Sequence, residues 1–373
     1  MQSDAIVIGA GTVGAAVAYG LARRGLSVLV LDGDDGDYRA ARANFGLVWL
    51  QGKGMNMPAY QQLTRRSVDL WPEFDAELSA LTGIDLQYEH DGGLAFCFGE
   101  DGFEQRRLHL QRLHNQLGSE DPDHEMLDRG TLEKLAPKVR FGADVSGASF
   151  GRRDGHANPL KLLAALHAGI LRHGGVLRSH SAVDKIVPGT QGFTIEIQGG
   201  DRFSATRLVI AAGLGSATLA EQVGLHVPLR PQRGQVLVTE RVDPLLPLPA
   251  SGLRQTREGT LMIGATQEET GFNTTTTSEA AAHLGHKTVR LVPALAELTL
   301  VRHWAGLRVM TPDSYPVYVQ SPTYPGAFVT LCHSGVTLAS THATVIPDAI
   351  IAGRLPSILD PFHHRRFDVP KAA

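Results

Sequence analysis

Near the start of the chain Gly9, Gly11 and Gly14 stand at the G-x-G-x-x-G spacing, and an aspartate, Asp32, follows them. Each type suits one task in holding a dinucleotide. The first glycine permits a tight turn, the second lets a pyrophosphate approach bare backbone, and the third lets a helix lie close to a sheet. With Ala10, Thr12 and Val13 between them, these residues form a helix start whose unpaired amides can meet negative phosphates. A carboxylate about 20 positions further on can accept hydrogen bonds from ribose hydroxyls, which is the role open to Asp32. The implied ligand carries an adenosine and a pyrophosphate, and the fingerprint alone does not separate FAD from NAD.

Such a site needs a strand, a glycine turn, a helix and a second strand in order. Residues 4–8 read as a buried strand, residues 12–24 as a helix with small residues on one face, and residues 27–31 as the second strand. Together they make a right-handed βαβ unit with a parallel pair.

At 373 residues the chain has room for two domains, or for one large domain with an insertion. Its 35 Lys and Arg against 38 Asp and Glu leave a formal charge of -3, which gives no footprint for nucleic acid and no polybasic membrane patch. The 2 cysteines, Cys97 and Cys332, are too few for a disulfide framework or a four-cysteine zinc site and suit a reducing compartment. No secretory signal and no apolar run of roughly 18 to 20 residues is present, so a cytoplasmic protein without a transmembrane segment is expected. His363 and His364 lie in a polar tail without metal-ligand spacing, and no metal is expected. The four threonines at positions 274–277 read as a polar loop.

Three further segments make the chain similar to the D-amino acid oxidase superfamily of FAD-dependent amine and amino-acid oxidoreductases, in the branch with glycine oxidase and sarcosine oxidase. They are Asp154-Gly155-His156-Ala157-Asn158-Pro159 with the helix that follows; Leu208-Val209-Ile210-Ala211-Ala212-Gly213 continued by Pro231-Gln232-Arg233-Gly234-Gln235; and Trp304-Ala305-Gly306-Leu307-Arg308 with Thr311-Pro312-Asp313, Pro316 and Cys332-His333-Ser334-Gly335-Val336-Thr337-Leu338. The resemblance spans nearly the whole chain. The stretches Ala43-Asn44-Phe45-Gly46-Leu47-Val48-Trp49 with Gln51-Gly52-Lys53-Gly54, and Cys332 to Gly335, look closer to the β subunits of heteromeric membrane-associated dehydrogenases: opine oxidase, hydrogen cyanide synthase and D-hydroxyproline dehydrogenase.

The resemblance implies an α/β fold in which a Rossmann-like FAD-binding domain (residues 1–50, 150–220 and 320–373) interleaves with an antiparallel-sheet substrate domain (51–149 and 221–319). Residues 227–241 and 260–265 read as strands of a sheet roofing the flavin, with turns supplied by 252–260. It implies oxidation of the Cα–N bond of a small amino or imino acid, D-hydroxyproline first, by hydride transfer to flavin N5. A stand-alone oxidase yielding peroxide, an opine- or glycine-oxidising subunit and a non-catalytic flavin-binding subunit stay open. Partner subunits are expected, and through them peripheral docking on the inner membrane.

Carried over residue by residue, Arg308 is the candidate carboxylate anchor, since a guanidinium offers a planar two-toothed fork; Val309 follows it where many relatives have proline. His333 is a candidate contact for substrate or flavin. Arg42, Ala43, Asn44, Gly46 and Leu47 match the loop along the flavin and pyrophosphate, Val183 matches the adenine position, and Ala212 and Gly213 end a strand at the cofactor. Ser334, Gly335, Val336, Thr337 and Leu338 read as a helix start aimed at the N1 and C2 carbonyl edge of the ring. Trp304 reads as core or pocket wall, and Asp313 as a turn residue. A cysteine for covalent attachment is missing after Arg308, where Met310-Thr311-Pro312 stand, so noncovalent FAD is expected. A second flavin, FMN, at a subunit interface would be faced by Lys53, Arg152 or Arg153.

Overall fold

A computed structural model describes residues 2–33, 40–118 and 122–368. The N-terminal strand Gln2–Ile8, the glycine helix Thr12–Arg23 and the strand Val28–Leu31 form the expected unit, with the two strands parallel. Alternation explains why the strand is buried throughout its second half. Ala5, Val7, Val28 and Val30 point into a core on one face, while Ile6, Ile8, Leu29 and Leu31 fill a core on the other. A parallel strand covered on both faces reads as a near-continuous apolar run.

The main sheet has eight strands, running in the order Val317–Gln320, Ala327–Leu331, Arg202–Ile210, Gln2–Ile8, Val28–Leu31 and Val176–Arg178, with the hairpin Val183–Gly189 and Gly192–Ile197 branching from Arg202–Ile210. The glycine helix lies against the C-terminal helix Ala339–Ile351, and Gly20 makes that closeness possible: a Cβ there would stand 2.2 Å from the Ala343 carbonyl oxygen. The long helix Pro58–Thr82, from the segment expected in the substrate domain, sets Leu63, Val68, Trp71, Phe74 and Leu78 into this same core.

A second body of antiparallel sheet stands apart in sequence. Four strands run in the order Leu253–Gln255, Thr260–Gly264, Arg230–Arg241 and Leu300–Met310, and a three-stranded sheet of Gly93–Phe98, Val145–Gly151 and His124–Asp128 joins it through a bridge between Leu94 and Ala250. Leu237, Leu261, Ile263 and Leu94 pack with Leu284 and Leu291 of the helix Ser278–Leu291 into a third core. The stretch expected to supply only turns between the roof strands contains the strand Leu253–Gln255. Three residues bounded by Gly252 and the 256–259 turn are too few to show a period, and pairing with Thr260–Gly264 defines them.

Candidate active site

The fingerprint glycines divide in the structure as their tasks require. A Cβ at Gly9, whose φ is +105°, would stand 2.4 Å from the Ala211 carbonyl oxygen, and one at Gly14 would stand 2.0 Å from the Gly9 oxygen. At Gly11 the same atom would meet only Ala41, 3.8 Å away, so this position opens on space. Asp32 is buried at the end of its strand and accepts a 2.5 Å hydrogen bond from the Ala10 amide, which fixes its carboxylate beside the glycine turn. Ser181 donates its amide to the Asp32 carbonyl at 2.6 Å, so Val183 begins its strand beside the aspartate. Thr12 carries a buried hydroxyl with no partner among the described residues. An orphaned buried polar atom at a helix start fits an absent phosphate oxygen.

The loop after the fingerprint is held in a shape that brings its backbone inward. Asn44 accepts the Gly46 amide at 2.7 Å, Gly46 has φ +90° with a would-be Cβ 2.4 Å from the Ala157 oxygen, and Leu47–Val48 pairs with Gly155–His156. Ala43 lies against Gly306, where a Cβ would approach it to 2.2 Å, and Trp304 donates its indole N–H to the Ala43 carbonyl at 3.4 Å. Arg42 is exposed. Gly213, with φ +58°, faces Val309, next to Arg308. This loop therefore touches the arginine strand on one side.

On its other side it touches the turn at 334–338. The Trp49 amide donates to Thr337 Oγ1 at 3.2 Å, and that hydroxyl also contacts the Leu47 carbonyl at 3.2 Å. Ser67 and Trp71 of the long helix hold the Thr337 carbonyl at 2.8 and 3.0 Å. The helix expected at Ser334 to Leu338 begins later, at Ala339. Leu338 donates to Ser334 and Ala339 to Val336, which makes a turn of mixed pitch ahead of the helix. The amides of Gly335, Val336 and Thr337 donate to no acceptor among the described residues, and Gly335 lies over Val13 and Thr12 at the glycine helix start. Two sets of amides without acceptors among the described residues thus converge. A flavin dinucleotide fits this arrangement.

Arg308 is half buried on the strand Leu300–Met310, with its guanidinium over Gly234 of the neighbouring strand. A Cβ at Gly234 would stand 2.7 Å from both terminal nitrogens. Among the described residues its one protein partner is the Arg233 carbonyl, at a long 3.3 Å, and burial lowers its pKa from the ordinary value. The nearby Glu268 is committed elsewhere, to Arg233 at 2.6 Å and Gln235 at 2.9 Å. His333 is pushed down to about 3 by burial and then by the charges of Lys53 and Arg308, so its imidazole is neutral near pH 7. It can donate or accept a hydrogen bond but is not an acid at that pH.

Lys53 is the residue that sequence reasoning placed elsewhere. Its ammonium donates to Ser334 Oγ at 2.9 Å, and Tyr60 donates to the same oxygen at 2.9 Å. It therefore lies with His333 and Arg308. Arg153 is paired with Asp123 at 2.8 Å and with Asp69, while Arg152 is exposed. A bracket of glycines around Lys53 was the available signal: Gly52 and Gly54 have φ of +84° and +81°. Asp313 is a turn residue, accepting from the Tyr315 amide at 3.0 Å and pairing with Arg366 at 2.7 Å.

A glycine turn open to a dinucleotide, a half-buried arginine with one long hydrogen bond among the described residues, and a neighbouring turn of amides without acceptors there fit a flavin-dependent oxidoreductase of amines. Residues 4–346 match the family described as FAD dependent oxidoreductase, and the chain belongs to it. It is 41% identical to an opine oxidase subunit of Rhizobium meliloti, over 100% of this chain and 99% of that protein. It is 28% identical to hydrogen cyanide synthase subunit HcnC of Pseudomonas aeruginosa, over 99% and 97% of the two chains. The crystal structure of glycine oxidase from Geobacillus kaustophilus superposes with a TM-score of 0.88 at 25% identity, covering 98% of this chain and 99% of that one. The protein is thus an FAD-dependent oxidoreductase with the mixed α/β fold of glycine oxidase. Among its described residues no helix is long and apolar enough to cross a membrane.

Proposed function

We propose that the chain is the catalytic subunit of a heteromeric dehydrogenase that oxidises the C–N bond of an N-substituted amino acid. The observation that carries this reading is Arg308: a half-buried guanidinium with one long hydrogen bond, beside the loop and turn that would hold the flavin. A substrate carboxylate supplies the missing acceptors, and a dry fork makes the contact strong and directional. FAD, when bound, accepts the two electrons and the Cα hydrogen. The protein's own tasks are to fix the carboxylate on Arg308, to keep His333 neutral as a hydrogen-bonding wall, and to exclude water with the roof sheet. The amine leaves as an imine after losing its N–H proton, and water then splits the imine into a carbonyl compound and an amine.

The likeness to the opine oxidase subunit supports an opine over the smaller D-hydroxyproline, and it supports partner subunits as the route by which electrons leave. Steady-state turnover with a dye acceptor tests this, using N-(1-carboxyethyl) amino acids, glycine and cis-4-hydroxy-D-proline in parallel. Release of a 2-oxo acid from the first set is expected. Turnover of hydroxyproline alone would replace the substrate, peroxide formation by the isolated chain in air would favour an oxidase, and no turnover of any amine would overturn the reading.

A further inference from the structure

Among the described residues, two cations in this site form no ion pair with a carboxylate. Arg308 has been described. Among the described residues Lys53 has only the Ser334 hydroxyl, and burial, aided by the Arg308 charge, holds its pKa below the ordinary value. The acid whose charge acts on it, Asp154, is fully buried: its Oδ1 accepts the Leu50 amide at 2.5 Å and the Gln51 amide at 3.2 Å, while its Oδ2 has no partner among the described residues. That carboxyl is itself raised to about 7, chiefly by burial, so it is a poor counter-ion.

The loop that presents Lys53 is built stiffly for a lysine with so little to hold. Asp154 pins its start, and the Gln51 side chain ties it to Gly93, Arg106 and Ser149 at 3.0, 2.7 and 2.7 Å. The Lys53 amide closes a turn onto the Leu50 carbonyl at 3.0 Å, and a Cβ on Gly54 would stand 2.6 Å from the Gln61 amide nitrogen. A fixed, partly desolvated ammonium beside an unpaired guanidinium is expensive without ligand and becomes favourable when anions arrive.

We infer that Lys53 anchors a second carboxylate, so that the site selects a secondary amine flanked by two carboxylates, one on Arg308 and the other on Lys53. This rests on the amine-oxidising reading above and adds the residue that sets its specificity. Two cations at the ends of the substrate also favour the neutral amine between them, the form from which the C–H bond is oxidised.

The test uses the FAD-loaded protein with N-(1-carboxyethyl)alanine and N-ethylalanine, which differ by one carboxylate. The native protein should prefer the diacid by about 10- to 100-fold in kcat/KM, the scale of one lost charge-assisted contact. Lys53→Met should lose that factor for the diacid, mainly through KM, and should lower N-ethylalanine turnover by a smaller factor, so that the preference for the diacid collapses. Lys53→Arg should keep the preference. A binding readout runs beside it: the Kd of 2,2'-oxydipropionate, an ether that cannot be oxidised, followed by the flavin absorption bands, should rise by the same factor in Lys53→Met. Equal losses for both substrates in Lys53→Met, or equal use of the two by the native protein, would overturn the assignment while leaving amine oxidation intact. Oxidation of neither would overturn both.

Discussion

Gly234→Ala isolates the carboxylate anchor without touching the anchor itself. The added methyl would stand 2.7 to 2.8 Å from Nη1, Nη2 and Cζ of Arg308, whereas ordinary contact begins near 3.4 Å. The guanidinium must therefore retreat by several tenths of an ångström or swing away. The backbone at Gly234 is regular strand, paired with Gly306, and Ala is compatible with it, so the fold should be nearly unaffected. A misplacement of about 1 Å in a positioning contact lowers catalysis by up to about a hundredfold. A fall in kcat/KM of about 10- to 100-fold is expected, or about 1.4 to 2.7 kcal/mol of lost transition-state binding. FAD content should stay full, and the melting temperature should move by only a few degrees. Arg308→Met should cost more, and the double variant should match Arg308→Met alone, because both changes break one contact. Steady-state kinetics on the three purified variants read this directly. Unchanged kcat/KM in Gly234→Ala, or additive losses in the double variant, would refute the claim that Gly234 exists to seat Arg308.

Gly11→Ala and Gly14→Ala should separate cofactor binding from folding: the first leaves a folded protein with weakened FAD retention, the second should fail to give soluble protein, and a flavin-to-protein ratio after gel filtration reads both. Asp32→Ala should also purify depleted of FAD, and full flavin occupancy would count against its ribose role. The pH profile of kcat/KM should show no limb from His333 between pH 5 and 9, because its pKa lies near 3; His333→Asn that removes an acidic limb would contradict this. His342, buried and bonded to Tyr318 at 2.8 Å, is likewise held down to about 3. Its unfolded counterpart takes a proton near pH 6.5, so the unfolded state binds more protons between about 6.5 and 3 and stability falls as pH falls through that window. Up to about 1.4 kcal/mol per pH unit comes from each such histidine, and urea midpoints of His342→Gln against the native protein should show a shallower acid slope.

The sequence made legible what lies close together along the chain. The turn from Gly9 to Gly14, its flanking strands and Asp32 fall within one local unit, where spacing alone constrains geometry. Arg308 was reached through its motif, but the glycine that seats it is 74 positions away and meets it only through antiparallel register. Lys53 shows the limit more sharply. Its partner Ser334 is 281 residues distant, so the glycines on either side mark a special loop without saying what the lysine meets. The helix after His333 begins at Ala339 rather than earlier, because Thr337 is held by Ser67, Trp71 and the Trp49 amide from two other segments. Local propensity carries no trace of such tertiary ties.

The central claim is a flavin site that oxidises an N-substituted amino acid. The most direct measurement is the visible absorption spectrum of the FAD-loaded protein before and after anaerobic addition of an N-(1-carboxyethyl) amino acid. Bleaching of the oxidised flavin bands, at a rate that saturates with substrate and falls in Arg308→Met, is the predicted result. A flavin spectrum indifferent to every such amine, or a colourless protein that FAD cannot reconstitute, would contradict it.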